Sequence, residues 1–256
     1  MSAGGGLRAV AIAFFAYLYA PIVILLVLSF NVSQQATIWE GFSTRWYGVV
    51  LANPDLVRAG CNSLIVAATA TLAATTIATL AALALNRATF RGRRAVEALV
   101  GLPLLVPEIV TAVATLLCFV LLGVRLGLLT VVLAHTTFCI PFAYLPIRAR
   151  LADMDKHLAE AAMDLYATRA ATFRRITLPL LWPGILSGVM LAFIISLDDF
   201  VITYFVSGAG ATTLPVYIYG MIRVGISPEV NAVSALMLLV SIAFVALSWA
   251  VGRVRR

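Results

Sequence analysis

The stretch Glu160–Pro179, EAAMDLYATRAATFRRITLP, decides how this chain is read. It is the one long polar passage in the second half of a very apolar sequence. Glu160, Asp164, Arg169, Arg174 and Arg175 stand here between two runs hydrophobic enough to sit in lipid. Residues 155–165 can form a short helix with Asp155 as its N-cap and Leu158, Ala161, Ala162 and Leu165 on neighbouring faces. Thr168 can cap a second helix from Arg169 to Ile176, which Pro179 and Pro183 are expected to end. Two short helices at an angle would offer a groove on another protein a narrow alanine face, with Glu160 and Asp164 on an adjoining stripe.

Composition sets the solvent. Of the 256 residues, 62% are hydrophobic and only 11% are charged, whereas a soluble domain carries about 25% charged residues. Too few charges are present to cover a globule, so lipid must bathe much of the surface. The formal charge of +7 is not a nucleic-acid footprint, because the arginines flank apolar runs instead of gathering on one polar face. Six runs, near 9–30, 60–86, 95–122, 128–147, 183–206 and 229–251, reach the roughly 20 residues that a helix needs to cross hydrocarbon. The first ends in Leu28-Ser29-Phe30-Asn31, unlike a cleaved signal peptide, and is read as an uncleaved span.

The expected architecture is therefore an all-α integral membrane protein, a single transmembrane domain over 1–256 with a polar loop at 148–182. Of the 18 Lys and Arg, only Arg45, Arg58, Arg125 and Arg223 fall on the side opposite that loop. Positive charge gathers on the cytoplasmic side, so the loop and both termini are expected there. The second span is rich in Ala and Thr and should lie inside the bundle. Pro103 and Pro107 should kink or interrupt the third.

Three carboxylates within the apolar runs are candidates for function. Asp198 and Asp199 are adjacent in the fifth span, and Glu108 follows Pro107 in the third. An acidic residue at a helix centre costs about 2.5–3.5 kcal/mol to insert, and such groups usually face a cavity and serve substrates or protons. Neither aspartate has a basic partner in its own span. On one helix they would stand about 100° apart, so at most one would point straight into a pathway. Satisfaction by other helices is the structural alternative. Trp46, in the aromatic segment Phe42–Tyr47, suits either a membrane-interface anchor or a contact to substrate or a docking protein.

Other chemistry is poorly supported. The one lysine, Lys156, follows Asp155 and not a glycine, so the chain has no phosphate-cradling loop of its own. Cys61, Cys118 and Cys139 show no C-x-x-C spacing and read as buried thiols. His135 and Cys139 share a helix face but make only half a zinc site, and no metal is expected. A proton-coupled secondary transporter could use Asp198, Asp199 and Glu108 as a relay, but it would not need the Glu160 loop. An intramembrane aspartyl protease would want its acids on different helices.

The loop resembles a signature in the membrane subunits of ATP-binding-cassette importers: E-A-A, three residues, Gly, nine residues, I-x-L-P. Glu160-Ala161-Ala162 and Ile176-Thr177-Leu178-Pro179 fall at that spacing, and Tyr166 holds the Gly position. Glycine would permit a positive φ in the turn. With tyrosine, the turn is expected to be built differently or to pack its ring against a partner. The passages around Ser196-Leu197-Asp198-Asp199-Phe200-Val201-Ile202, Thr212-Thr213-Leu214-Pro215-Val216 and Arg223–Ala232 are similar to the second membrane subunit of spermidine/putrescine importers, as are Ser43–Tyr47 and Asn62–Ile65.

The resemblance implies the type I importer permease fold in a bacterial inner membrane. It implies two ATP-binding subunits that carry the ATP and Mg, a second homologous permease subunit and a periplasmic substrate-binding protein. Glu160, Ala161, Ala162, Asp164, Tyr166, Ile176, Leu178 and Pro179 would couple to the ATPase. Asp198, Asp199, Glu108 and Trp46 would line the path of a polyamine, or of another cationic or amino-acid-derived solute.

Overall fold

The computed structural model describes residues 3–87, 91–155, 157–225 and 227–254; Lys156, Arg255 and Arg256 lie outside them. Arg8–Leu28, Pro54–Asn86, Leu128–Ala152, Arg169–Asp198 and Pro228–Leu247 are long and apolar enough to cross a bilayer. The run expected as a third span is instead a bent pair, Arg93–Leu104 and Glu108–Leu121, meeting at 106°. Pro107 sits at the break with φ −53° and ψ 135°, outside helical space, as a proline-interrupted helix requires.

The chain forms two compact units. The smaller comprises Met1–Arg58 with Tyr217–Ile242. It holds α1 (Ala3–Leu28) and the short α2 (Arg45–Ala52). Between them, Asn31 organises a loop: its Oδ1 accepts from the Ser33 and Glu40 amides at 3.3 and 3.0 Å, and its amide donates to the Ile38 carbonyl. Asn231 Nδ2 donates to the Ala36 carbonyl at 3.1 Å. Phe30 stacks on Phe42, with centroids 5.5 Å apart. Trp46 in α2 is only 7% exposed, turned into protein and not outward to headgroups.

The larger unit, Ala59–Val216 with Ala243–Arg256, carries most of α3 (Pro54–Arg87). It also holds α4 (Arg93–Gly101), α5 (Glu108–Leu121), α6 (Leu128–Ala152) and α7 (His157–Asp164). Next come α8 (Arg169–Thr172), α9 (Leu178–Asp198) and α10 (Val201–Val206), and α11 (Leu214–Val224) begins within it. Ala67, Ala70, Ala74, Ala78 and Ala82 form a fully buried stripe on α3, the helical spacing expected of a span inside a bundle. Ala74, Ala78 and Ala82 pack with Cys139, Ala143 and Ile147 of α6 and Leu181 and Ala192 of α9. Glycines let α6 and α9 approach closely: a Cβ on Gly188 would stand 2.9 Å from the Ala143 carbonyl oxygen. Cys139 is buried, but Cys61 and Cys118 are exposed; facing outward in a span, they meet lipid in place of a core.

Three boundaries differ from expectation. α6 runs on to Ala152, with Arg150 Nε donating to the Leu180 carbonyl at 2.9 Å. Pro179 and Pro183 do not end the second loop helix. A π-helical segment, Phe173–Thr177, carries α8 directly into α9, and its wider turn takes in a proline that lacks the N–H of an ordinary ladder. Finally, the fifth span does not continue to residue 206. It stops at Asp198, because Asp199 is extended (φ −63°, ψ 127°), and α10 starts afresh at Val201.

The segment after α10 returns against α6. A Cβ on Gly208 would collide with the Leu126 carbonyl oxygen and stand 2.9 Å from the Gly127 nitrogen. Gly208→Ala is therefore expected to destabilise the protein by about 1–3 kcal/mol, as overpacking does. The measurement is the thermal unfolding midpoint in detergent; an unchanged midpoint would contradict this close approach.

Candidate functional site

The broken ends of α5 and α9 meet at one cavity of about 450 Å³, lined by Glu108, Asp198, Asp199, Phe138, Phe142 and Phe200, among others. Glu108 is the first residue of α5, where unpaired amides and the positive end of the helix dipole favour a carboxylate. Its carboxyl neighbours that of Asp199 in the wall of this cavity. Both expected pathway helices thus deliver their acids to the same place.

Asp198 and Asp199 are not equivalent, and they do not share one straight helix. Asp198 is exposed at the cavity, whereas Asp199 is 6% exposed. Asp199 Oδ1 accepts from the Thr203 amide at 3.0 Å and the Thr203 hydroxyl at 3.2 Å, and Oδ2 from the Ile202 amide at 3.4 Å. The carboxylate therefore caps the start of α10, where four amides would otherwise lack partners.

The basic neighbour missing from its own span comes from α6. His135 Nε2 is 3.1 Å from Asp199 Oδ1 and 2.8 Å from Thr203 Oγ1, and Nδ1 is 2.8 Å from Ser196 Oγ. Sequence reasoning weighed His135 only as a metal ligand beside Cys139. Cys139 instead donates to the Ala192 carbonyl, with 3.5 Å between sulfur and oxygen, and among the described residues no group of three or more His, Cys, Asp or Glu could hold a metal. The signal available was the presence of Ser196 and Thr203 beside two aspartates in an apolar run.

Trp46 belongs to the other unit. Its indole N–H is buried with no hydrogen-bond partner among the described residues, and Arg45 lies over its ring at 5.4 Å.

The loop at 148–182 is an elbow. Asp155 accepts from the His157 amide at 2.9 Å, and Thr168 Oγ1 accepts from the Ala171 amide at 3.3 Å. Thr168 is the N-cap of α8 as expected, whereas α7 starts at His157 and not next to Asp155. Between them, Ala167 N–H reaches the Ala162 carbonyl at 3.0 Å and Tyr166 N–H reaches that of Met163 at 3.0 Å. These are the paired bonds of a Schellman C-cap, with Tyr166 at the left-handed position usually held by glycine. Tyr166 adopts φ 61°, the one positive φ of a non-glycine among the described residues. The turn is not built differently: tyrosine takes the glycine's conformation, and its ring is 98% exposed. Glu160, Ala161 and Asp164 are exposed, Ala162, Ile176 and Leu178 are half-buried, and Pro179 is exposed.

Membrane-length helices, two of them interrupted at carboxylates lining a shared cavity, with a capped polar elbow running into the acid-bearing helix, define a permease. Residues 74–256 match the family model of the binding-protein-dependent transport system inner membrane component. The chain belongs to that family and is the membrane permease subunit of an ATP-binding-cassette transporter, multi-pass in the inner membrane. It is 41% identical to the spermidine/putrescine transport system permease protein PotC of Escherichia coli K12, over 94% of this chain and 91% of that one. It is 44% identical to the putrescine transport system permease protein PotI of the same strain, over 88% and 82%. Among solved structures, a bacterial transporter importing the acidic polysaccharide alginate superposes with TM-score 0.75 at 18% identity, covering 97% of this chain and 94% of that one. The MetNI methionine transporter, inward facing, gives 0.68 at 20% identity, covering 78% and 96%.

A left-handed L-residue is strained by roughly 1–2 kcal/mol. Tyr166→Gly is therefore expected to raise stability by up to about 1 kcal/mol, less than the full strain because glycine is freer when unfolded. The unfolding midpoint of the purified chain reads this; a fall would mean that the ring makes a stabilising contact.

Proposed function

We propose that this chain carries polyamines inward, as one of two permease subunits served by two ATP-binding subunits and a periplasmic substrate-binding protein. The observation that carries the reading is the cavity where Glu108, Asp198 and Asp199 converge among phenylalanines. A polyamine has ammonium groups separated by methylene chains. Carboxylates suit the first and aromatic walls suit both, through apolar contact and cation–π attraction. Two carboxylates as close as Glu108 and Asp199 repel each other when charged, and an ammonium group between them relieves that repulsion. The relatives' polyamine substrates support the same reading.

ATP and its Mg are bound and hydrolysed on the partner ATPases. The termini and the elbow face the cytoplasm, as the distribution of arginine requires. Closure of the ATPases pushes on Glu160, Ala161, Ala162 and Asp164 of α7. The motion passes through Ile176, Leu178 and Pro179 into α9, whose far end is Asp198. Trp46 lies in the other unit with its indole N–H buried, which suits an anchor inside that unit better than a contact to substrate.

Labelled spermidine and putrescine uptake in the host deleted for this gene tests the substrate. Restoration by the wild type, with a loss of about tenfold or more for Asp199→Asn, is expected, on the scale of one hydrogen bond to a charged group. Asparagine still caps α10, so the complex should assemble. Uptake unaffected by deletion, in a host with no second polyamine system, would refute the substrate. Glu160→Lys should leave the chain inserted but abolish ATP-dependent uptake; normal transport and normal co-purification with the ATPase would refute the elbow's role.

A further inference from the structure

We propose that His135 is a positioning residue for transport: it fixes the Asp199 carboxylate so that one oxygen is held by the protein and the other is left for the passing cation. The inference rests on the reading of Asp199 as a pathway residue and adds a residue to it.

The hydrogen-bond bookkeeping points this way. Asp199 Oδ1 accepts two hydrogen bonds, from the Thr203 amide at 3.0 Å and the Thr203 hydroxyl at 3.2 Å, and His135 Nε2, 3.1 Å from the same oxygen, bonds that hydroxyl at 2.8 Å. A carboxylate oxygen has about two lone-pair sites, so Oδ1 is fully committed. Oδ2 has only the long 3.4 Å contact from the Ile202 amide, and it keeps acceptor capacity. The orientation is therefore set on the Oδ1 side, and His135, which aims the Thr203 hydroxyl at that oxygen, comes from outside the α9–α10 connection.

The imidazole is fixed in turn. With the proton on Nε2, it donates to the Thr203 hydroxyl at 2.8 Å, and Nδ1 accepts from the Ser196 hydroxyl at 2.8 Å. The Thr203 hydroxyl then accepts from Nε2 while donating to Asp199, so every polar atom in the cluster has a compatible role. His135 is 1% exposed and Thr203 is fully buried, so water cannot replace these bonds. One side chain from α6 thus spans the break, holding Ser196 at the end of α9 and Thr203 in α10. Without it, the Thr203 hydroxyl is free to turn away from Oδ1, and the carboxylate keeps only the two amide bonds of the cap, about which it can tilt. A pathway acid that wanders costs transport even when the chain folds.

Two amides separate positioning from packing. In His135→Gln the amide nitrogen reaches the place of Nε2 and can still donate to the Thr203 hydroxyl that holds Asp199. In His135→Asn it reaches only the place of Nδ1, beside Ser196. The complete transporter, with its binding protein, is reconstituted in vesicles, and initial rates of spermidine uptake are measured alongside co-purification of the subunits. His135→Gln is expected to keep most of the wild-type rate, and His135→Asn to lose about tenfold. In an Asp199→Asn background, His135→Asn should cause no further loss, because it acts through that carboxylate.

Equal rates in the two His135 variants, whether normal or reduced, would overturn the inference. So would a full additional loss on top of Asp199→Asn, or failure of His135→Asn to co-purify with its subunits, since each describes a structural role. In all of those outcomes Asp199→Asn alone remains impaired. Normal uptake in Asp199→Asn would instead remove the pathway reading itself.

Discussion

The interaction on which this fold depends is the capping of α10 by the Asp199 carboxylate at a break in an apolar span. A helix interrupted in hydrocarbon exposes amides and carbonyls at both sides of the break, and lipid satisfies none of them. Here side chains do it. Asp199 takes the first amides of α10, and the Thr130 hydroxyl donates to the Val206 carbonyl at 2.8 Å. Asn62 donates to the carbonyls of Gly210 and Thr212 at 3.0 Å, and Ser63 accepts the Leu214 amide at 2.7 Å. Each such bond contributes only about 0.5–1.5 kcal/mol net, but leaving its partner unpaired costs about 1–3 kcal/mol. The irregular stretch from Asp199 to Thr213 is tolerated because α3 and α6 hold it.

Small residues make that arrangement stiff. The alanine stripe of α3 and the glycines of α9 bring backbones close, and closely packed helices move as blocks, not by bending. The span Arg169–Asp198 is unbroken over 30 residues, about 45 Å at helical rise. It begins at the Thr168 cap in the polar elbow and ends at the acidic cavity. A displacement at one end therefore arrives at the other, with the π-helical segment as its only irregularity. The elbow itself is closed by a Schellman turn that tyrosine occupies against its preference, so the angle between α7 and α8 is set by backbone hydrogen bonding and does not require glycine.

What the sequence made legible was local. The cap at Thr168, the interruption at Pro107 and the alanine face of α3 each follow from residues a few positions apart, and each is found. The misjudged features are tertiary or depend on which local rule prevails. Pro179 and Pro183 signal a helix end, but a π turn ahead of them removes the conflict. Asp198 and Asp199 were placed on one continuous helix because nothing in LDDF marks a break; the bond that stabilises the break runs from Asp199 to Thr203 and His135. Of that cluster, His135 lies more than sixty positions away on α6, so no periodicity could pair them. Tyr166 illustrates a further limit: propensity said what it would rather not do, while the hydrogen bonds on either side decided what it does.

The break also divides labour between two adjacent acids. Asp199 is spent largely on structure, with its Oδ1 committed to donors, and its remaining capacity faces Glu108. Asp198, exposed at the cavity, bears no such duty. Neither Arg nor Lys is among the cavity's lining residues, so the negative charge there is not neutralised locally and favours cations over anions. A site that bound a polycation with every group fully desolvated and paired would hold it, which a passage cannot afford. On the proposed pathway, one fixed carboxylate, one exposed carboxylate and a third at the head of α5 would give attraction in several weaker steps, as through-flow requires. The geometry that satisfies a broken helix in lipid would on that proposal also grade the strength of the path.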